Sequence, residues 1–345
     1  MRATYLRNTR TRSLLAAALI AVAGQAIADD GLDKITVGMS WYAEAEQGGF
    51  YQALAEGLYE KHGLDVTVRD GGPSTNGMQL LMGGAVDFHT GFSLNTFNAV
   101  RQGIPLVSVA AVMQTDPQTL IVHDGQGYDS LGDLDDAHMM IPTTGRVAYW
   151  PWLKSKYGFD DSQLRPYAFT LGPFAQDPKA AQQGYITNDG YYMAQAGVDG
   201  KSLLIADYGW SPYGYTIDTT REMVCEHPDI VRRFVAASIE GYKSYLEDPR
   251  LGNAEAKKRN PELTDDLIQY SFDKMHEYRI VDSGDAEEYG IGTMNHARWE
   301  TFFEQMVDAG VLPEDLDYQQ GYTLRFVDHP EQDAEADAAK APLCP

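Results

Sequence analysis

The sequence predicts an α/β protein of two lobes, each a mostly parallel sheet flanked by helices, with a hinge between the lobes. Three observations carry that prediction. Short apolar runs alternate with helix-like runs along most of the chain, which is the βα succession of a parallel sheet covered on both faces. The same rhythm restarts after Asp116-Pro117, so two such units follow one another. About 300 ordered residues also exceed what one hydrophobic core usually supports.

In the first unit, strands are predicted over 35–39, 64–69, 86–90 and 107–112, with helices over 49–62, 76–83 and 95–102. In the second, strands are expected over 119–123, 139–142, 166–170, 185–187 and 202–206. Helices over 147–157, 179–183 and 190–196 separate them. Beyond Asp218 the chain turns helical, with apolar residues at three- and four-residue steps over 228–245, 264–278 and 296–309. These helices are expected to pack on the first unit. A second sheet inserted into the first requires two crossings, placed at 113–119 and 207–219, and paired crossings make a hinge. The predicted organisation is lobe I from residues 29–116 and 217–328, lobe II from 117–216, and a disordered acidic tail over 329–345.

Arg2, Arg7, Arg10 and Arg12 precede the apolar run Leu14 to Gly24 and then Ala26-Ile27-Ala28, the three regions of a secretory signal peptide. Residues 1–28 are therefore expected to be cleaved, leaving Asp29 first in a periplasmic protein. The apolar run falls short of the ~20 residues a spanning helix needs. Losing those four arginines takes the formal net charge from −23 to −27. So acidic a chain is a poor match for nucleic acid, and it favours a soluble monomer. Cys225 and Cys344 are too few for a disulfide framework; one bridge is compatible with an oxidising compartment, and its formation is left open.

The runs Trp41 to Ala53, Tyr59 to Val66, Gly83 to Asp87 and Gly103-Ile104-Pro105 carry a family resemblance. The chain resembles exported solute-binding proteins of ABC importers, in the NMT1/THI5-like branch, over nearly all of residues 34–328. The resemblance implies the type II periplasmic binding protein fold and delivery of a small-molecule ligand to an ABC permease and its ATPase at the inner membrane. It implies no catalysis and no cofactor. Similar proteins bind thiamine pyrimidine precursors, riboflavin, or taurine, other sulfonates and nitrate.

In open α/β sheets ligands bind beyond the carboxyl ends of the strands, and each candidate segment falls at such an end. Trp41 and Tyr42 follow the first strand and offer stacking faces to a planar ligand. Gly48-Gly49 then opens a helix whose bare N–H groups suit polar or anionic atoms. Phe50 and Tyr51 read equally well as ligand contacts and as core. Glu46, nearer the helix start, is preferred to Glu44, which reads as a solvated acid. His89 and Phe92 end the third strand; His89 is alternatively a satisfied structural histidine. Pro142 to Trp150 makes a polar turn in which Thr144 and Arg146 suit an anion, with ordinary capping as the alternative. Tyr149 and Trp152 continue an aromatic lining. In the turn Gly184 to Gly190, the resemblance implies that Asn188 and Asp189 meet an amino-pyrimidine edge, where relatives usually carry Glu; capping of the next helix is the plainer reading. Asp207 to Tyr215 holds four aromatics, of which Tyr208 and Trp210 are assigned to the cleft.

The expected ligand is thus a flat nitrogen heterocycle, a thiamine pyrimidine precursor or related pyrimidine, gripped by its faces and by an acid at its edge. Few basic side chains point at this site, which weighs against nitrate or a free sulfonate. Riboflavin and sulfonate binding remain alternatives within the superfamily. No Walker loop, no His-Glu-x-x-His and no metal spacing occur. A pyridoxal-phosphate-linked pyrimidine synthase is the alternative of another class, but the cysteine run of those enzymes is missing.

Overall fold

The computed structural model describes residues 31–327 and 343–344. The expected signal peptide and nearly all of the acidic tail lie outside the described residues. Two five-stranded sheets organise the rest. The first comprises β1 (Asp33–Gly38), β2 (Leu64–Arg69), β3 (Phe88–Phe92), β4 (Leu106–Met113) and β10 (Gly214–Thr220) in the order β2-β1-β3-β10-β4. The second comprises β5 (Gln118–His123), β6 (His138–Met140), β7 (Leu164–Arg165), β8 (Ala180–Tyr185) and β9 (Gly200–Leu204) in the order β7-β6-β8-β5-β9. The two orders are equivalent. In each sheet four strands run one way and a single strand, β10 or β5, lies antiparallel in the fourth position.

Local sequence explains most of these elements. β2 alternates buried and exposed residues, as a strand with one wet face should, whereas β4 is buried throughout and reads as a continuous apolar run. Although β4 is last in its sheet, its free edge is covered by bridges from Tyr322 to Ser108 and from Gly292 to Ala111. The long helix Pro228–Glu247 starts with Pro at its first turn and buries Val231, Phe234, Ser238, Gly241, Tyr242 and Tyr245, one stripe at helical spacing. Side-chain caps from Asn76, Thr264 and Asn295 start the helices Gly77–Met82, Asp265–Glu277 and His296–Asp308.

Several segments differ from the sequence expectation, among them 185–187, where β8 ends at Tyr185 and a turn follows. The predicted helix over 179–183 belongs to strand β8, because Ala and Gln, good helix formers in isolation, are captured between β5 and β6. The strand expected over 166–170 is a loop: Pro166 has no N–H to give to a ladder, so β7 stops at Arg165. The second expected crossing contains strand β10, whose Thr216, Ile217 and Thr219 suit a pleated interior. The helix Arg250–Arg259 has no counterpart in the sequence expectation. Apolar packing is also continuous between the sheets, running from Ile35 through Trp210 to Leu153. Cys225 and Cys344 form a disulfide with Cα atoms 5.5 Å apart, so the end of the tail is tied to the first sheet's helices.

Gly48 and Gly49 open the helix Gly48–Ala55 and are buried against the rings of Tyr245 and Tyr242. A Cβ on Gly49 would lie 2.2 Å from the Tyr242 ring, and one on Gly48 would lie 2.1 Å from Tyr245. The pair therefore permits close helix packing and does not present bare N–H groups to a ligand. Gly49→Ala is expected to destabilise the protein by about 1–3 kcal/mol through overpacking, measured by urea denaturation; an unchanged midpoint would show that the tyrosine can swing aside.

Candidate ligand-binding cleft

The loops leaving the carboxyl edges of both sheets line a single cleft of about 2070 Å³. Trp41 and Glu44 follow β1, Gly72 and Pro73 follow β2, Asp116 follows β4, Thr144 and Arg146 follow β6, Tyr167 and Phe169 follow β7, and Asn188 and Asp189 follow β8. The antiparallel strands enter the same edge with their first residues, which brings Gln118 of β5 and Tyr215 of β10 into the lining. These walls of the cleft follow from strand order and direction.

Trp41 from the first sheet and Phe169 from the second lie nearly parallel, with ring centroids 6.5 Å apart and planes inclined by 23°. Phe169 is 62% exposed and has φ +55°, a left-handed backbone unfavourable for a bulky residue. Tyr215 also has a positive φ, +40°, where β10 shifts register between Gly214 and Thr216; its buried ring lies 6.0 Å from that of Phe92. Strained residues at a ligand cleft mark positions that the surrounding fold over-determines.

Of the expected site residues, Trp41, His89, Phe92, Thr144, Arg146, Asn188, Asp189 and Trp210 line the cleft, while Tyr42, Glu46, Phe50, Tyr149 and Tyr208 do not. Several roles need correction. Phe50 is fully buried, edge-on to Tyr242 at 5.3 Å, and belongs to the core. Tyr149 is likewise fully buried, with its hydroxyl unpartnered. Tyr42 is half-exposed on the rim over Gly72. Tyr208 is half-buried, and its carbonyl accepts from Lys156 Nζ. Glu46 is buried and accepts from Thr187 Oγ1, a contact that joins the two sheets' loops. Trp210 reaches the cleft but packs against Trp152 and Phe302 at 5.4 and 5.2 Å, and its indole N–H donates to Asp116 Oδ2 at 2.9 Å.

Arg146 is turned inward. Its Nε donates to the Ile141 carbonyl and its Nη2 to the Arg165 carbonyl, both at 2.9 Å, so it ties the ends of β6 and β7 together. Asp189 is also structural: Oδ1 accepts the Tyr185 N–H at 2.7 Å, and Oδ2 accepts from Thr119 Oγ1 and from Ser202 Oγ at 3.0 Å. Burial pushes its carboxyl up to about 7, against the opposing effect of those donors. His89 Nε2 has no partner and burial lowers its pKa to about 4, so the ring is neutral at pH 7. Glu44, read from sequence as solvated, lines the cleft, and burial and then the Glu46 charge hold its carboxyl well above the usual range. Phe169 and Tyr215 gave no sequence signal beyond their ring chemistry, because it is backbone irregularity that aims them.

Two equivalent sheets sharing a cleft at their carboxyl edges define the periplasmic binding protein fold. The Escherichia coli aliphatic sulphonate binding protein SsuA matches it with a TM-score of 0.61 at 15% identity, over 84% of this chain and 96% of that one. A family profile described as NMT1/THI5 like matches residues 44–251, more than half the chain, and the protein is a solute-binding member of that family. It is similar to the riboflavin-binding protein RibY of Chloroflexus aurantiacus, 24% identical over 312 residues and covering 86% of each chain. It is also similar to the formylaminopyrimidine-binding protein of Halalkalibacterium halodurans, 26% identical over 255 residues, 71% of this chain and 77% of that one.

Asp218, a buried residue of β10 at the cleft, accepts from Ser108 Oγ at 2.7 Å and is pushed up to about 7 by burial. A carboxyl whose folded pKa is raised binds its proton more tightly in the native state. Its stabilising contribution is full below the unfolded value near 3.9 and is lost as pH rises through about 7. Asp189 acts in the same direction. Thermal melts between pH 5 and pH 8 should therefore show a falling midpoint, with a shallower fall in Asp218→Asn; an identical slope in the variant would remove Asp218 from the account.

Proposed function

We propose that the protein captures a small planar nitrogen heterocycle, a pyrimidine of the thiamine-precursor type or a close relative, in the periplasm. It delivers the ligand unchanged to an ABC permease and its ATPase at the inner membrane. The Trp41–Phe169 pair is the observation that supports this reading. A flat ring between two others makes two contacts of about 3.5 Å each, so it needs a centroid separation of about 7 Å. The observed 6.5 Å requires only a slight parting of the two loops. The acidic lining agrees: Glu44, Asp116, Asp189 and Asp218 border the cleft, and Arg146 spends two of its donors on backbone carbonyls. This disfavours nitrate and free sulfonates, which need open donors.

A flavin is the second reading. The cleft is larger than the ~300–1,000 Å³ of ordinary small-molecule sites, and similarity to a riboflavin-binding protein extends over most of the chain. An isoalloxazine is also flat and fits the same ring pair. A fold shared with binding proteins does not by itself exclude catalysis, so the assignment rests on the cleft's residues. Lys154 at the cleft edge pairs with Asp161 at 2.9 Å, which disfavours a Schiff base with pyridoxal phosphate at that position. Among the described residues no helix is long and apolar enough to cross a membrane.

A thermal-shift panel of pyrimidines, flavins and alkyl sulfonates tests the assignment. A ligand at 100 times its dissociation constant should add about 2.7 kcal/mol. Trp41→Ala and Phe169→Ala should each remove most of the shift while leaving the unliganded midpoint nearly unchanged. A shift with sulfonates alone would overturn the heterocycle reading.

A further inference from the structure

We propose that Glu44 reads the edge of the sandwiched ring, and that the ligand therefore presents at least one N–H donor on that edge. The inference rests on the ring-sandwich reading above and deepens it. It follows from counting which acids at the cleft still have acceptor capacity. An ionised carboxylate accepts about four hydrogen bonds. Asp189 already holds three donors, from Tyr185, Thr119 and Ser202. Asp116 also holds three, from the Gln118 N–H and Nε2 at 3.0 Å each and from Trp210 Nε1. Asp218 also borders the cleft, but it is 1% exposed and takes the Ser108 hydroxyl. Glu46 is engaged by Thr187 and does not line the cleft.

Glu44 differs from all of these. It lies three residues after Trp41 in the same loop, it borders the cleft, and it is only partly buried. Among the groups around it, the Trp41 side chain, whose only donor is the indole N–H, favours its charged form. The carboxyl therefore shares the cleft wall with the ring that would cover the ligand. The neighbouring Glu46 charge opposes its ionisation. Protonated or ionised, the group keeps at least one oxygen that only accepts, so an N–H donor on the ligand edge satisfies it and a methyl group in that place leaves it unpaired. An aminopyrimidine edge and the imide edge of a flavin both meet this requirement; a ring with methyl groups in their place does not.

Two matched ligand pairs test it by isothermal titration: 4-amino-2-methylpyrimidine against 2,4-dimethylpyrimidine, and riboflavin against 3-methylriboflavin. Wild type should prefer the N–H member of the pair that binds by roughly tenfold or more, the equivalent of one charge-assisted hydrogen bond. In Glu44→Gln and Glu44→Ala the preference should shrink to within about threefold, while the methylated member binds as in wild type and thereby reports an intact fold. Equal binding of both members by wild type, with affinity still lost in Trp41→Ala, would overturn the Glu44 assignment and leave the sandwich standing. A preference that survives in both Glu44 variants would have the same meaning. Failure of all four compounds to bind would overturn the sandwich reading and this inference together.

Discussion

The cleft depends on how two chain crossings are held side by side. Arg298, on the helix His296–Asp308, donates to the carbonyls of Gln114, Ser211 and Pro212, so a single guanidinium grips both crossings at once. Its planar group also lies 4.1 Å from the Tyr213 ring centre. The Trp210 indole then bonds Asp116 directly from one crossing to the other. A guanidinium with fixed donor directions suits this task better than a lysine, because three backbone carbonyls must be met in one geometry. The carboxyl edges of the two sheets face a common space only while these strands stay in register.

That clamp also explains why the aromatic residues near the second crossing serve structure first. Trp210 fills the space between Trp152 of the second sheet's helix and Phe302 of the helix that carries Arg298. Apolar packing consequently passes through the crossing without a gap. Ligand chemistry is left to the outer loops, where Trp41 and Phe169 approach from opposite sides. The division is one of position: buried rings near the two crossings set geometry, and exposed rings at the rim remain available for stacking.

Much of the fold was legible in the sequence because apolar periodicity and turn chemistry repeat along the chain. The strands over 64–69 and 107–112 and the helix begun by Pro228 stand close to where their patterns place them. β8 and β10 were not legible, since Ala-Ala-Gln-Gln carries helix propensity and Gly-Tyr-Thr-Ile-Asp follows a Pro-aromatic segment that resembles a hinge. Their strand character comes from partners far away in sequence. The site was legible as a set of loops but not as a set of roles. Arg146, Asp189 and Glu46 have the right chemistry for a ligand, yet each is engaged by protein groups that no local pattern reveals. Phe169 was hidden by the opposite error, since a run with strand composition became a loop at Pro166.

The position of β10 has a consequence for how the molecule is assembled. The second sheet is complete once residues 118–204 exist, and its strands are separated by short stretches of chain. The first sheet lacks its fourth strand until residue 220, and β10 must then insert between β3 and β4, more than a hundred residues upstream. Pairings of such long range form slowly, because the loop must close before any contact rewards it. During biogenesis β4, a run of apolar residues, waits with an unpaired flank, and that interval is where chaperone protection is most needed.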